Sequence, residues 1–128
     1  MSLTRLSLAL TAAAFTGFGV ACFARPRQML AKIDVAPTSD TGITEIRAMY
    51  GGMELGLGAF FAYCATQDSL AKPALLAQIT SLGGLALARL WSILEDDPGW
   101  VMYPLFVAEA GATVLGVAAL REELRVHK

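Results

Sequence analysis

From Leu6 to Ala24 the chain carries no charged residue, and three further apolar stretches follow it, Ile46–Ala65, Pro73–Leu94 and Trp100–Leu120. A helix rises 1.5 Å per residue, so about twenty apolar residues cover the roughly 30 Å of a bilayer's hydrocarbon. Inside lipid the backbone polar groups must bond within their own segment, which makes such runs helices. The predicted fold is therefore all-α: one domain, residues 1–128, forming a membrane-embedded four-helix bundle with spans near 6–24, 46–65, 73–94 and 100–120. Composition agrees. The chain is 55% hydrophobic and 16% charged, where soluble domains carry about a quarter charged residues.

The apolar runs admit two other readings. A secretory leader would pair Arg5 with the first run and a small-residue cut at Cys22-Phe23-Ala24, but the run is long for a leader and Pro26 lies close behind the cut. A soluble bundle would need four unusually apolar cores. The net charge of −1 gives no basis for nucleic-acid binding. Cys22, Cys64 and His127 occur without metal-ligand spacing, so neither a metal site nor a thiol redox motif is expected. The Gly-x-Gly pairs at Gly17–Gly19 and Gly56–Gly58 lie inside apolar helices, the wrong context for a nucleotide loop.

The connections carry helix signals. Met29, Leu30 and Ile33 can share one apolar face beside Arg27 and Lys32, which predicts a short interfacial helix after the first span. Asp40 or Thr41 is the expected cap of the second helix, and Pro73 fits the first turn of the third. Asp97 with Pro98 is the expected start of the fourth. Small residues recur at four-residue spacing on every span: Ala9, Ala13, Gly17 and Ala21; Ala48, Gly52 and Gly56; Gly84 and Ala88; Ala108, Ala112 and Gly116. Such faces allow close backbone approach within the bundle, between copies, or with a membrane-protein partner.

Charges inside these spans are expensive, at least about 2.5–3.5 kcal/mol each, so they are normally paired or functional. There are three central ones: Glu54, Arg89 and Glu109. Let side B be the side of the bundle holding connections 25–45 and 95–99, and side A the other. Counting along each helix puts Glu54 about 12 Å, Glu109 about 13–14 Å and Arg89 about 8 Å from side B. All three fall in one layer, with Arg47 and Tyr50 above on the Glu54 stripe. Gly51 and Gly58 on that stripe leave Glu54 the more accessible acid. Gln78, Ser81 and Ser92 share the Arg89 face, and Thr113 and Gly116 share that of Glu109. Pro104, one turn from Glu109, would free the Trp100 carbonyl and kink the helix. Repetition is faint: Gly19–Arg25 resembles Gly83–Arg89, and Glu54-Leu55-Gly56 resembles Glu109-Ala110-Gly111.

The cluster has a structural reading, in which Arg89 clamps both acids. It also has a functional reading, in which Glu54, Arg89, Glu109, Arg47 and Tyr50 form a polar pocket for a small amphipathic or lipophilic ligand, an ion or a proton. No catalytic residue or required cofactor emerges, so a non-enzymatic protein is expected, with lipid or quinone as compatible guests. The alternatives are an accessory subunit of a larger membrane complex and a quinone-linked redox component.

The run Glu45-Ile46-Arg47-Ala48-Met49-Tyr50-Gly51-Gly52-Met53-Glu54 through Phe61, the run Gly83-Gly84 to Arg89 and Ser92 ending in Glu95-Asp96-Asp97-Pro98, and the Glu109 helix together carry a resemblance. They resemble a family of small bacterial four-span membrane proteins of unknown function, broadly DoxX-like, over nearly the whole chain. Ala88 stands where that pattern leads one to expect glycine. The resemblance implies a four-helix membrane fold and a multi-pass place in the bacterial inner membrane. It supplies no activity, although DoxX-like proteins are associated with quinone-linked membranes. Side A carries Arg5, Lys72, Arg121, Arg125 and Lys128, and side B carries Arg25, Arg27, Lys32 and Arg47. That narrow excess leans towards cytoplasmic termini.

Overall fold

The computed structural model describes residues 1–126; His127, a candidate metal ligand by type, and Lys128, one of the side-A charges, lie outside the described residues. The chain is helical, with α1 at Leu3–Ala24, α2 at Pro26–Ala31, α3 at Asp40–Ile46, α4 at Met53–Cys64, α5 at Ala71–Asp96 and α6 at Met102–Val126. A π-helical turn, Arg47–Gly52, joins α3 to α4, and a short 3-10 turn, Asp68–Leu70, leads into α5. Among the described residues there is no strand.

The boundaries follow from local chemistry. The Ser2 hydroxyl caps α1 by accepting from Arg5 N at 3.2 Å. Pro26 disfavours helical geometry at Arg25, which ends α1, and then starts α2 with its preset φ. The short helix expected around residues 29–33 is α2, which tucks Leu30 against Cys22 and Ile46. Ser39, one residue before the expected Asp40 or Thr41, caps α3 through Gly42 N. Pro73 lies in the first turn of α5 as expected.

At the last connection the expectation is overturned. Asp97 does not open α6; it ends α5 in the left-handed region, at φ 47° and ψ 59°. A short polar side chain tolerates that region, and Pro98 stops further helix. Because α6 begins only at Met102, Pro104 sits in a first turn, where its missing N–H breaks no helical bond. The Trp100 carbonyl is not freed either, since it accepts from Tyr103 N at 3.2 Å.

Three helical stretches, Leu3–Ala24, Asp68–Asp96 and Met102–Arg125, are long and apolar enough to cross a membrane. In α6 only 11% of the most apolar window is buried within the chain. An apolar surface that extensive needs lipid or another apolar cover. The stretch expected as a helical span at 46–65 lies in continuous helix from Asp40 to Cys64, but its residues Arg47–Gly52 are π-helical. Its α-helical part is the twelve residues of α4, reached through the π turn.

α1 pairs antiparallel with the α3–π–α4 path, and α5 pairs antiparallel with α6. α1 also reaches α6 and α5, whereas α4 barely touches the second hairpin. The main core joins Leu8, Ala12 and Phe15 to Phe61, Ala74, Leu75, Leu82 and Ala119. Phe15 and Phe61 stack with centroids 5.7 Å apart. These residues lie mostly in the side-A half, so the bundle is tightest there.

The close approaches fall on other small residues than the four-residue stripes suggest. A Cβ on Gly19 would come within 2.9 Å of Leu55 N, one on Gly51 within 3.0 Å of Phe23 Cβ, and one on Gly58 would strike Thr16. Gly17, Gly56 and Gly84 have open space instead. Gly116 does pack, against Gln78 and Ile79.

Candidate functional site

Where the hairpins diverge towards side B, they enclose a cavity of about 640 Å³. The first hairpin contributes Tyr50 from the π turn and Glu54 from the first turn of α4. The second contributes Arg89 from α5 and Glu109 from α6, and α1 lines the space with Thr11, Ala14 and Phe18. Met29, Leu30 and Ile33 of the α2 region border it as well. Most of the lining is apolar, with the charged groups at one level.

Arg89 and Glu109 form a two-pronged pair: Nε donates to Oε2 at 2.9 Å and Nη2 to Oε1 at 2.7 Å. Nη1 donates to the Met102 sulfur at 3.0 Å. The side chains are 21% and 13% exposed, so the pair is largely withdrawn from its surroundings. Planar fork-to-carboxylate geometry makes this among the stronger kinds of ion pair. The expectation that Arg89 holds both acids is not met. Glu54 lines the same cavity, but among the described residues no ion pair or hydrogen bond reaches its carboxylate. The physical reason is lateral. Depth along a helix sets height, and α4 makes little contact with the second hairpin.

The glycines near Glu54 serve packing. Gly51 and Gly58 admit Phe23 and Thr16 of α1 and open no space beside the carboxylate. Arg47 also departs from its expected place. It lies outside the cavity wall, with Nε donating to the Phe23 carbonyl at 3.2 Å. Thr113 donates to the Glu109 carbonyl within its own helix, and Ser81 to that of Ala77.

A second polar contact lies outside the sequence expectations. Gln78, fully buried, donates from Nε2 to Ser7 Oγ at 2.9 Å and to the Ala112 carbonyl at 2.8 Å, while Ser7 Oγ donates to Gln78 Oε1 at 3.1 Å. It ties α1, α5 and α6 together at the side-A end of the cavity, whose wall includes Ser7 and Ala112. Ser7 and Gln78 are polar residues inside apolar runs, the available signal for an interhelical bond. Nearer side A, Thr4 donates to Glu123 at 2.5 Å and Arg5 pairs with Asp68 at 3.1 Å. Cys22 and Cys64 are both free thiols. Among the described residues no cluster of His, Cys, Asp or Glu is suited to a metal ion.

What this arrangement can do chemically is hold a polar end at the Tyr50–Glu54 wall and an apolar body along α1 and α6. Two carboxylates against one guanidinium give the wall a formal charge of −1. A family described as a domain of unknown function (DUF4345) matches residues 3–120. No curated protein and no solved structure matches the chain.

Proposed function

The chain belongs to the DUF4345 family, and we propose that it is a non-enzymatic, four-span protein of the bacterial inner membrane that binds a small amphipathic or lipophilic ligand, or an ion, in the cavity between its hairpins. The observation that carries this reading is the contrast between the acids. Glu109 is satisfied by Arg89, while Glu54 faces the same cavity with no partner among the described residues. A carboxylate kept at membrane depth without a structural partner is costly unless something else engages it. The guest would present a donor or cationic end to Glu54, with the Tyr50 hydroxyl nearby, and lay its apolar part along Ala14, Phe18 and Ala108.

The fourth crossing is the α3–π–α4 path. α4 alone is about 18 Å long, short of the hydrocarbon thickness, so the π turn and the end of α3 supply the remainder. A quinone would fit the same mixture of apolar wall and donors, in keeping with the broad DoxX-like resemblance. A second reading, an accessory subunit of a larger complex, is favoured by Gly17, Gly56 and Gly84, all exposed small positions outside the cavity wall with no atom near an added Cβ.

Glu54→Gln is the direct test. Native mass spectrometry of chain extracted from its own membrane should show a small co-purifying molecule that the variant retains poorly, with the thermal midpoint little changed. Equal retention removes the ligand reading. A variant that cannot fold makes Glu54 structural, and a stoichiometric co-purifying protein favours the subunit reading.

A further inference from the structure

Arg47, absent from the cavity wall, lines a separate cleft of about 420 Å³ with Arg25 and Arg27. We propose that this cleft binds the phosphate of an anionic phospholipid headgroup. It lies where α1 ends and α2 and α3 meet it. α1 is long and apolar enough to cross a membrane, so its final residues fall at headgroup depth. Three guanidinium groups therefore stand at the level of lipid phosphates, against one carboxylate in the cleft, Asp40.

The fold holds these cations without neutralising them. Among the described residues none of the three arginines forms an ion pair, with Asp40 or any other acid. Arg47 spends its Nε on the Phe23 carbonyl and Arg27 one terminal nitrogen on the Pro37 carbonyl, each at 3.2 Å. These bonds go to neutral acceptors and orient the side chains. Each guanidinium has five N–H donors, so most remain for a guest. Arg25 makes no side-chain hydrogen bond among the described residues. Planar, partly anchored guanidiniums match phosphate oxygens in pairs, and the anchoring lowers the entropy lost on binding. Basic pockets between membrane helices recognise anionic headgroups in this way. The site stands apart from the Glu54 cavity, so it can fail or succeed independently of the function proposed above.

The test uses the full chain in neutral detergent, mixed with equal amounts of phosphatidylcholine and phosphatidylglycerol, with bound lipids counted by native mass spectrometry. Phosphatidylglycerol should be retained preferentially. Arg25→Gln should lower its affinity about fivefold, and the double variant with Arg47→Gln about twenty-five-fold. Arg121→Gln on side A should change nothing. Because Arg25 makes no side-chain bond among the described residues, its variant separates lipid binding from folding. Equal retention of both lipids, or unchanged affinity in Arg25→Gln, overturns the proposal. Binding of inorganic phosphate without retention of phosphatidylglycerol overturns the lipid assignment.

Discussion

Arg89 and Glu109 lie twenty residues apart in sequence and meet because the 97–101 turn folds α6 back along α5. Their bond was legible from arithmetic: opposite sign, comparable depth and adjacent antiparallel helices leave few alternatives. The solitude of Glu54 was not legible, because counting residues gives height but not the lateral gap between hairpins. The pair's energetics give a prediction. Removing one partner leaves the other charged and largely buried, so Arg89→Gln and Glu109→Gln should each cost about 3 kcal/mol. The apolar double replacement Arg89→Met with Glu109→Leu should recover most of that loss, since neither charge then needs compensation. Unfolding titrations in mixed detergent micelles measure both. A double variant as unstable as the singles would mean that the pair supplies packing its charges do not explain.

At the scale of elements, hydropathy finds α1, α5 and α6 because it reads composition over a window. It misses the π turn, which changes the hydrogen-bond register without changing composition. The turn matters to the site: Tyr50 and Glu54 face the cavity while Gly51, beside Tyr50, faces Phe23 of α1. Asp97 departs from its expected role for a related reason. An acidic residue before proline is compatible with a helix start and with a left-handed helix end, and the sequence alone does not choose. Gly56 and Gly58 show how the small-residue stripes misled, since spacing identifies smallness but not which side meets a neighbour. Gly58→Ala should destabilise the first hairpin by about 2 kcal/mol, because its Cβ meets Thr16 and lies 3.0 Å from that residue's backbone nitrogen. Gly56→Ala, two residues away with open space around it, should be neutral or up to about 1 kcal/mol stabilising. Thermal unfolding of the two variants side by side decides the matter. Equal effects would mean that α1 and α4 do not pack in this register.

For the molecule as a whole, the division is between a closed half and an open half. Leu8, Phe61, Leu75 and Ala119 fill the space towards side A, with Gln78 bonded among them to Ser7 and Ala112, while Phe15 and Leu82 stand where this core meets the cavity. Towards side B the hairpins separate, and α1 makes most of the contact between the first and the second. An open half can exist for two reasons. It can be where packing is incomplete, in which case filling it should stabilise the protein and change nothing else. Or it can be where a guest belongs, in which case filling it should displace the guest. Ala108 lies on the cavity wall one residue from Glu109, and a larger side chain there would enter the space without disturbing the Arg89 pair. Ala108→Phe should therefore keep or raise the unfolding midpoint, because it adds apolar contact where there is room. It should also abolish retention of the proposed small-molecule guest. Native mass spectrometry with a thermal melt on the same sample reads both quantities. A stabilised variant that still carries the molecule would place the guest outside this cavity, and the contrast between Glu54 and Glu109 would then lose its functional meaning.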